Sequence, residues 1–431
     1  MRKKLVILLL FFVGWAGFCL PSFAAQPVFP GWVLRLAEDI CRVTPATKEA
    51  LADVLKAHKL PDGTLDFQRG DARLLIARYL MANAAQIGFS VRFPGSSRAQ
   101  ARLQLDIGAR ESRDAAFVRT GANCLSNEAR LLINHKDGRP DKLLIFSSPF
   151  KLPTQTEALN PPVPLSKDPG GVAVALIDSG LNYTLPLFKD RLARNTKGKI
   201  LGYDFAEDDD RPYDLDPSRS ALFPIHHGTA TASIIAMEAP KVRLIPLRYP
   251  GRAFDKFANL VAAIASGPAR IASMPIGGRK RDDWQSFRKA VKKHPDILFV
   301  ISAGNDGRDI DAQPVFPASF ELENTLVITS SDAFGRIAQG SNWGQKTVDI
   351  AVPGERTDVI DHRGAKAKAS GTSYAVPRVA ALAARLKAHH PEWSTRQLKQ
   401  AIIDFATPLR RGSNKRTKHG WIPNPALVDS P

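Results

Sequence analysis

Four polar residues adjoin apolar or small-residue segments, and their types match the groups of a nucleophilic active site. They are Asp178, His227, Asn305 and Ser373. A serine hydroxyl is a weak nucleophile near neutral pH and needs a base within hydrogen-bond reach, and an imidazole can accept its proton there. A carboxylate holds the tautomer of that imidazole, while a carboxamide donates to a developing oxyanion. Together these four side chains could transfer an acyl group to serine.

The segments beside these residues predict how the chain positions them. Asp178 follows the apolar run at 172–177, and Asn305 follows a second such run at 297–301. Runs of this kind, alternating with helical segments, predict an α/β fold whose parallel sheet is covered by helices on both faces. Side chains just past the carboxyl ends of such strands gather at one edge, where open α/β sheets place their sites.

Two small-residue helices are predicted to carry the other two residues. His227 opens the first helix and Ser373 opens the second, in which Pro377 falls early enough for its missing N–H to cost little. Gly371 lets the backbone turn where a Cβ would clash. His226 competes as the base, but a Gly-Thr pair directly follows His227 and favours it. Taken alone, Ser373 could equally be a helix cap.

The order of these motifs resembles that of one known family. The motifs are Asp178-Ser179-Gly180, His227-Gly228-Thr229, Ser302-Ala303-Gly304-Asn305 and Gly371-Thr372-Ser373-Tyr374-Ala375-Val376-Pro377. They are similar to those of the subtilisin-like serine peptidases, the subtilase or S8 family, over about residues 170 to 430. The resemblance implies a doubly wound, subtilisin-like domain. It also implies a serine endopeptidase that forms an acyl-enzyme, with Asp178, His227 and Ser373 as the triad and Asn305 in the oxyanion hole.

The resemblance also implies where a protein or peptide substrate binds. In subtilases the segment that matches 271–278 is an exposed edge, which pairs with the substrate backbone. Pro275 removes one N–H from that edge and departs from the usual pattern. The residues expected to bind substrate are Pro275, Ile276, Gly277, Gly278, Ser302, Ala303 and Gly304. We expect no cofactor and assign no metal ligands.

Two rival functions come from other classes. A subtilase-like scaffold that has lost activity would keep its cleft only to bind proteins, although all four catalytic positions are intact. A serine esterase of the α/β-hydrolase kind would need a G-x-S-x-G motif and the order serine, acid, histidine. The chain has neither feature, so the sequence argues against the esterase.

The N-terminal residues predict export. Residues 1–4 are basic, 5–20 are apolar, and small residues precede a cleavage point after Ala24. We interpret residues 1–24 as a signal peptide rather than a membrane anchor because the apolar run is short. The protein is then expected in the periplasm or outside the cell. Cys41 and Cys124 remain, an even pair that suggests one disulfide, with two unpaired buried thiols as the alternative.

Residues 25–150 predict a small α+β region before the catalytic one. Apolar residues at helical spacing predict helices at 33–42, 47–57 and 72–87. Residues 131–133 and 143–146 predict a β-hairpin, because an Asp-Gly pair lies between two apolar runs.

A Pro- and Thr-rich segment, 151–169, is predicted to link this region to the catalytic domain at 170–431. The resemblance to subtilases implies that the N-terminal region could be a prosegment, which blocks the cleft as an intramolecular inhibitor until it is removed. It could equally be a retained accessory domain. The sequence leaves both possibilities open.

Charge patterns add two further expectations. The net charge of +18 and basic clusters at 279–281, 410–411 and 415–418 allow the basic tail to contact an anionic surface, but a solvated basic face is the simpler interpretation. No stacking or recognition-helix pattern points to nucleic acid. The acidic loop with 207–210, Asp214 and Asp216 could bind calcium or a basic substrate residue, and a solvated loop is again simpler.

Overall fold

The computed structural model describes most of the chain after the N-terminal segment. The described residues are 28–43, 47–60, 62–70, 74–81, 86–92, 100–107, 114–135, 138–409 and 416–428. The predicted signal peptide at 1–24 and the basic pair at 410–411 lie outside these residues.

The N-terminal region has two helices and one antiparallel sheet. Its elements are α1 (Gly31–Arg42), α2 (Lys48–Ala57), β1 (Gly63–Gly70), β2 (Leu74–Met81), β3 (Gln86–Arg92), β4 (Gln100–Ile107), β5 (Asp114–Thr120), β6 (Ser126–Asn134), β7 (Pro140–Phe146) and β8 (Gln155–Ala158). The eight strands pair in chain order. The predicted hairpin is confirmed, since Leu132 lies opposite Leu143 across β6 and β7. The first two predicted helices are confirmed as α1 and α2.

The helix predicted over 72–87 is wrong. The described residues of this stretch form β2 and the start of β3, which pair antiparallel to each other. Along β2, Leu75, Ala77 and Met81 are buried on one face, while Ile76 is only partly buried on the other. Because apolar residues occupy both faces, the sequence has no clear alternation, and a short continuous apolar run does not distinguish strand from helix.

The N-terminal region is closed by a covalent cross-link. Val33, Leu36 and Ile40 of α1 pack on one face of the sheet in a shared apolar core. At the end of the same helix, Cys41 forms a disulfide with Cys124, which precedes β6. The bond therefore fastens α1 to the sheet within the N-terminal region and does not tether that region to the rest of the chain.

The second region is an α/β domain with a parallel sheet. Its strands and helices are β9 (Ala173–Asp178), α3 (Pro186–Lys189), β10 (Tyr203–Asp204), α4 (Gly228–Glu238), β11 (Arg243–Arg248), α5 (Phe257–Ser266), β12 (Ile271–Met274), α6 (Gln285–Lys293), β13 (Leu298–Ser302), β14 (Thr325–Ser331), β15 (Ile350–Pro353), β16 (Thr357–Ile360), β17 (Lys366–Ala369), α7 (Thr372–His389) and α8 (Thr395–Asp404). The parallel sheet has the strand order β10-β11-β9-β12-β13-β14-β15. Consecutive strands step to one side of β9 and then to the other, which makes β9 and its neighbours the topological switch point.

Helices cover both faces of this sheet, as the sequence predicts. Val174 and Leu176 of β9 point into a core shared with α4, α7 and α8. Ala175 and Ile177 point into the opposite core, shared with α5 and α6. The alternation along one strand thus fills two apolar layers, which explains why β9 is apolar at nearly every position.

Within the described part of the chain, none of the helices combines the length and the apolar character needed to cross a bilayer.

Candidate functional site

The side chains of Asp178 and His227 are in direct contact. Asp178 is the last residue of β9, and His227 is the residue before α4. His227 Nδ1 lies 2.7 Å from Asp178 Oδ1. The other carboxylate oxygen of Asp178 accepts a 2.8 Å bond from Thr231 Oγ1, one turn into α4. A carboxylate cannot donate when ionised, so Nδ1 carries the proton and Nε2 is left available as a base.

A second buried carboxylate, Asp214, fixes the backbone that carries His227. Asp214 accepts hydrogen bonds from Ser179 Oγ at 2.6 Å, from the His227 amide at 3.2 Å and from the Thr229 amide at 2.8 Å. It therefore occupies the N-terminal end of α4, where free amides and the helix dipole favour an anion. In the sequence Asp214 is only one of several acidic residues in a loop, and no local pattern marks it as a residue that caps a helix.

Close backbone contact at this point requires glycine. A Cβ on Gly228 would lie 2.0 Å from the carbonyl oxygen of Gly180. Any other residue would push α4 away from the turn after β9 and separate His227 from Asp178. The glycine of the Asp-Ser-Gly motif meets a different constraint, because a Cβ on Gly180 would lie 2.2 Å from the carbonyl oxygen of Tyr213.

The surroundings shift the pKa values of His227 and Asp214. Burial alone would lower the pKa of His227, but the adjacent Asp178 carboxylate outweighs it and raises that pKa above its usual value. Burial alone would raise the pKa of Asp214, yet hydrogen bonds and the nearby His362 and His226 rings hold it well below its usual range. Asp214 is consequently ionised wherever the protein is folded near neutral pH.

Ser373 is the second residue of α7, and its hydroxyl lines the same cavity as His227. Its Oγ donates to the Pro275 carbonyl oxygen at 3.2 Å rather than to the ring of His227. Gly371, just before the helix, has φ of 129°, which disfavours a side chain. Pro377 lies in the second turn of α7 and not at its start, so our placement of it in the least costly position is wrong. Its missing N–H leaves the Ser373 carbonyl without the usual helical donor.

Asn305 stands opposite Ser373 in a fixed orientation. Its Oδ1 accepts bonds from the Thr372 amide at 2.9 Å and from Thr372 Oγ1 at 3.0 Å. Because the oxygen is used in this way, the amide nitrogen of Asn305 is the side directed away from α7. Both Asn305 and Ser373 line the cavity, so a donor NH₂ and a hydroxyl face one space.

This cavity, of about 550 Å³, contains most of the residues that the sequence singled out. Its lining includes Asp178, His227, Ser373, Asn305, Pro275, Ile276, Gly277, Gly278, Ser302 and Gly304. Ala303 is the exception and does not line the cavity, because its side chain is fully buried in the core against α5 and α6. The residue leaves the strand with its methyl group turned inward, so it supports the wall without facing the cavity.

Sequence reasoning missed an apolar wall of the same cavity. Phe254, Phe257, Trp284, Val315 and Tyr249 also line it. The Phe257 and Trp284 rings lie 4.9 Å apart and pack together behind the opening. These residues come from three segments between strands and share no motif, so only folding brings them to one place.

The edge after β12 is partly used inside the protein. The Gly278 amide donates to the Phe316 carbonyl at 2.7 Å, and the Phe316 amide donates back to the Gly278 carbonyl at 2.8 Å. Pro275 has no amide hydrogen and its carbonyl accepts from Ser373. Ile276 and Gly277, which lie between Pro275 and Gly278, also line the cavity.

The acidic loop is neither simply solvated nor arranged around an ion. Two of its carboxylates form ion pairs: Asp208 with Lys256 at 2.6 Å and Asp209 with Arg139 at 2.7 Å. A third, Asp216, accepts a 2.8 Å hydrogen bond from Tyr249 Oη. Arg139 belongs to the N-terminal region. We call residues 209–226 the docking loop, because this stretch forms the contact between the two regions.

An apolar cluster continues this contact. Phe117, Leu132 and Leu143 of the N-terminal sheet pack with Leu215 and Leu222 of the docking loop. Leu143 faces the docking loop while its neighbour in β7, Leu144, faces the α1 side. The part of the N-terminal sheet formed by β5, β6 and β7 is therefore covered on both faces, by α1 on one side and by the docking loop on the other.

The predicted linker is held against the α/β region for much of its length. Residues 155–158 form β8, at the edge of the N-terminal sheet. Beyond β8, the Pro161 carbonyl oxygen accepts a 2.7 Å hydrogen bond from Tyr183 Oη. The two carboxylate oxygens of Asp168 accept hydrogen bonds from the Arg243 guanidinium at 2.8 and 2.9 Å. These contacts make the connection a fixed strap.

Comparison with known proteins agrees with the geometry. A family model described as the subtilase family matches residues 170–421. The thermophilic serine proteinase of Bacillus sp. (strain AK1) is 28% identical over 275 residues, which cover 60% of this chain and 62% of that protein. The alkaline serine exoprotease A of Vibrio alginolyticus is 30% identical over 253 residues, covering 56% and 43% respectively.

The chain thus spans less than two thirds of the length of these two relatives. Among solved structures, a cold adapted subtilisin-like serine proteinase superposes with a TM-score of 0.50 at 23% identity, over 63% of this chain and 94% of that one. That structure supports the fold of the second region. The matched residues begin at 170, so the N-terminal region lies outside the family match.

Proposed function

The chain belongs to the subtilase family, and from this premise we propose that it is a serine endopeptidase in which Ser373 is the nucleophile, His227 the general base and Asp178 the group that orients the base. The observation that supports this most strongly is the 2.7 Å contact between His227 Nδ1 and Asp178 Oδ1, on the wall of the cavity that Ser373 also lines. A ring held in this way offers Nε2 to a proton in the cavity.

Acylation follows from these positions. The Ser373 hydroxyl turns from the Pro275 carbonyl toward His227, a contact that free enzymes often make only when substrate is bound. His227 Nε2 takes the proton as Oγ attacks the carbonyl carbon of a peptide bond. The oxyanion that forms is stabilised by the Asn305 amide and by the Ser373 backbone N–H.

Collapse of this tetrahedral intermediate breaks the C–N bond. The leaving amine takes the proton from the His227 imidazolium, and an ester remains on Ser373. A water molecule then gives its proton to His227 and attacks the ester, and Ser373 Oγ leaves with that proton. Asp178 keeps its contact with His227 Nδ1 throughout, and the raised pKa of His227 reflects the support that Asp178 gives to the imidazolium.

The apolar wall supports a proposal about the substrate. An extended peptide lying along Ile276 and Gly277 would place one side chain against Phe254 and Trp284. Apolar pockets of this kind reward large apolar or aromatic side chains through burial. We propose that the enzyme prefers such a residue on the acyl side of the cleaved bond.

A fluorophosphonate probe tests the nucleophile. We expect it to label the wild-type protein and the Ser266→Ala control, in which an exposed serine is removed, but not Ser373→Ala. Absence of labelling in the wild-type protein, with the N-terminal region intact and after its removal by limited proteolysis, would favour the alternative of a catalytically silent scaffold that binds proteins.

A peptide library with both termini blocked tests endopeptidase activity. Cleavage at internal bonds, identified by mass spectrometry, is expected after large apolar residues. Cleavage that requires a free terminus would contradict the endopeptidase assignment while leaving the nucleophile in place.

Export and retention of the N-terminal region are part of the proposal. The basic and apolar residues at 1–24 support a signal peptide. Among the described residues of the N-terminal region, none lines the cavity, and the docking loop and strap bind that region beside it. We therefore favour a retained accessory domain over an inhibitory prosegment. N-terminal sequencing of the mature protein is expected to begin near residue 25, whereas a start beyond 160 would support the prosegment.

A further inference from the structure

We propose that Glu157, His226 and His362 bind a zinc ion at the joint between the two regions. One donor atom of each residue lies within 4.8 Å of the others. Glu157 Oε1 is 2.6 Å from His226 Nε2 and 3.9 Å from His362 Nε2. The three side chains are 12%, 17% and 9% exposed, so they are largely removed from solvent. Within the part of the chain that the structure describes, this is the group of donors that could hold a metal.

Asp214 orients the His226 imidazole toward Glu157 and lies beside the His362 ring. His226 Nδ1 lies 2.6 Å from the backbone carbonyl oxygen of Asp214. A carbonyl can only accept, so Nδ1 carries the proton and Nε2 points to Glu157. His362 Nδ1 faces the Asp214 carboxylate at 3.6 Å, and its Nε2 likewise turns to Glu157. Metal-binding histidines are commonly held by an oxygen on their second nitrogen, which fixes the tautomer.

The three residues leave a demand for positive charge. When both rings are neutral and carry their proton on Nδ1, each Nε2 has a lone pair directed at the carboxylate of Glu157. Three negatively polarised atoms then meet in a buried space. Glu157 Oε1 is a buried atom to which the described residues give no well-directed hydrogen bond. A cation bound to Glu157 Oε1 and to the Nε2 atoms of both rings would satisfy these three atoms together, while His362 Nδ1 stays on the side of Asp214.

The donor set favours zinc over calcium. Two imidazoles and one carboxylate suit zinc, which accepts three protein ligands and a water, whereas calcium prefers a shell made of oxygens. Tetrahedral zinc with bonds of about 2.1 Å needs donors about 3.4 Å apart. The observed 2.6 and 3.9 Å lie on either side of that value. The rings now stack at 3.7 Å and 14°, so they must turn about their side-chain torsions to share one ion.

The position of the site suggests what the ion would do. Glu157 lies on β8 of the N-terminal sheet, His226 precedes His227, and His362 lies between β16 and β17. None of the three lines the cavity. The zinc ion would therefore fasten the N-terminal region to the support of α4 and take no direct part in peptide hydrolysis.

Calorimetric titration of the chelator-treated full chain with ZnCl₂ tests the site. We expect one zinc ion per chain in the wild-type protein and in the His389→Ala control, which removes an exposed histidine at the end of α7. Glu157→Gln and His362→Ala should each weaken binding by more than about 100-fold, because even outer partners of zinc ligands contribute 10–100-fold. Glu157→Gln preserves side-chain size and guards against misfolding of the histidine variant, and circular dichroism checks both.

A second measurement reads the ligands directly. Cobalt in place of zinc should give the strong visible absorption of a four-coordinate site in the wild-type protein and lose it in Glu157→Gln. The proposal is overturned if wild-type protein binds no zinc, if calcium binds in its place, or if both variants bind zinc as tightly as the wild type. Because the readout is metal binding, it is independent of whether the chain is a protease.

Discussion

Neighbouring strands of the N-terminal sheet are also consecutive along the chain, whereas the second sheet places β9 between β11 and β12. The first arrangement mostly joins residues that are already close in sequence. The second brings the end of β9, the start of α4 and the start of α7 to one cavity. The reactive groups therefore gather where strand order departs from chain order, as expected for open α/β sheets.

The two regions also differ in how they are stabilised. All three cysteines of the chain precede residue 170, and two of them cross-link the N-terminal region. The α/β region relies on two apolar layers and on buried polar groups such as Asp178 and Asp214. We expect changes in the second region to alter catalysis first, and changes in the first region to alter local stability first.

The largest effect should come from the base. His227→Ala is expected to lower kcat by about 10⁶-fold, the magnitude known for subtilisin, a member of the same family. The matched control is His135→Ala, which removes a half-exposed histidine paired with Asp141 in the N-terminal region. Steady-state kinetics on a blocked peptide measure both. Equal losses in the two variants would contradict the assignment of chemistry to the α/β region.

Asn305→Ala should have the next largest effect. Loss of the side-chain donor to the oxyanion is expected to reduce kcat by about 10²–10³-fold with little change in KM, because the bond strengthens only in the transition state; this magnitude also comes from subtilisin. Asn123→Ala, an exposed asparagine of the N-terminal region, serves as the control. A rise in KM with unchanged kcat would instead assign Asn305 to substrate binding.

Removing the disulfide should affect the other region. The double variant Cys41→Ser and Cys124→Ser is expected to lose about 2–4 kcal/mol of unfolding free energy in the N-terminal region, since the bond closes a loop with a sequence separation of 83. Urea unfolding followed region by region, together with kcat, measures the effect. A fall in kcat that parallels the loss of unfolding free energy in the N-terminal region would contradict this separation between the two regions.

The smallest effect is expected at the joint. Arg139→Ala removes an ion pair with Asp209 whose side chains are 32% and 10% exposed. Partial exposure limits such a pair to about 1 kcal/mol, and its loss should raise the rate at which a second protease cuts between the regions. Lys199→Ala removes a more exposed pair with Asp210 and is the control. Equal cutting rates in both variants would mean that Arg139 does not hold the regions together.

Much of the α/β region followed from local sequence. Several motifs place a glycine that the backbone requires beside a polar side chain of the site. Gly228 permits a close backbone contact next to His227, and Gly371 permits the turn before Ser373. Apolar runs as long as those around β9 and β13 predicted buried strands correctly. Such signals are readable because they depend on residues only a few positions apart.

Other features were decided by packing between distant segments. The stretch around β2 is apolar on both faces, so the sequence alone suggested a helix, and pairing with β1 and β3 made it a strand. The wall with Phe254 and Trp284, the role of Asp214, and the docking of Leu143 against Leu222 also have no local pattern. The sequence by itself determined which groups could react and which strands would be buried. The tertiary structure decided what surrounds them, because burial and charge at a point depend on every segment that reaches it.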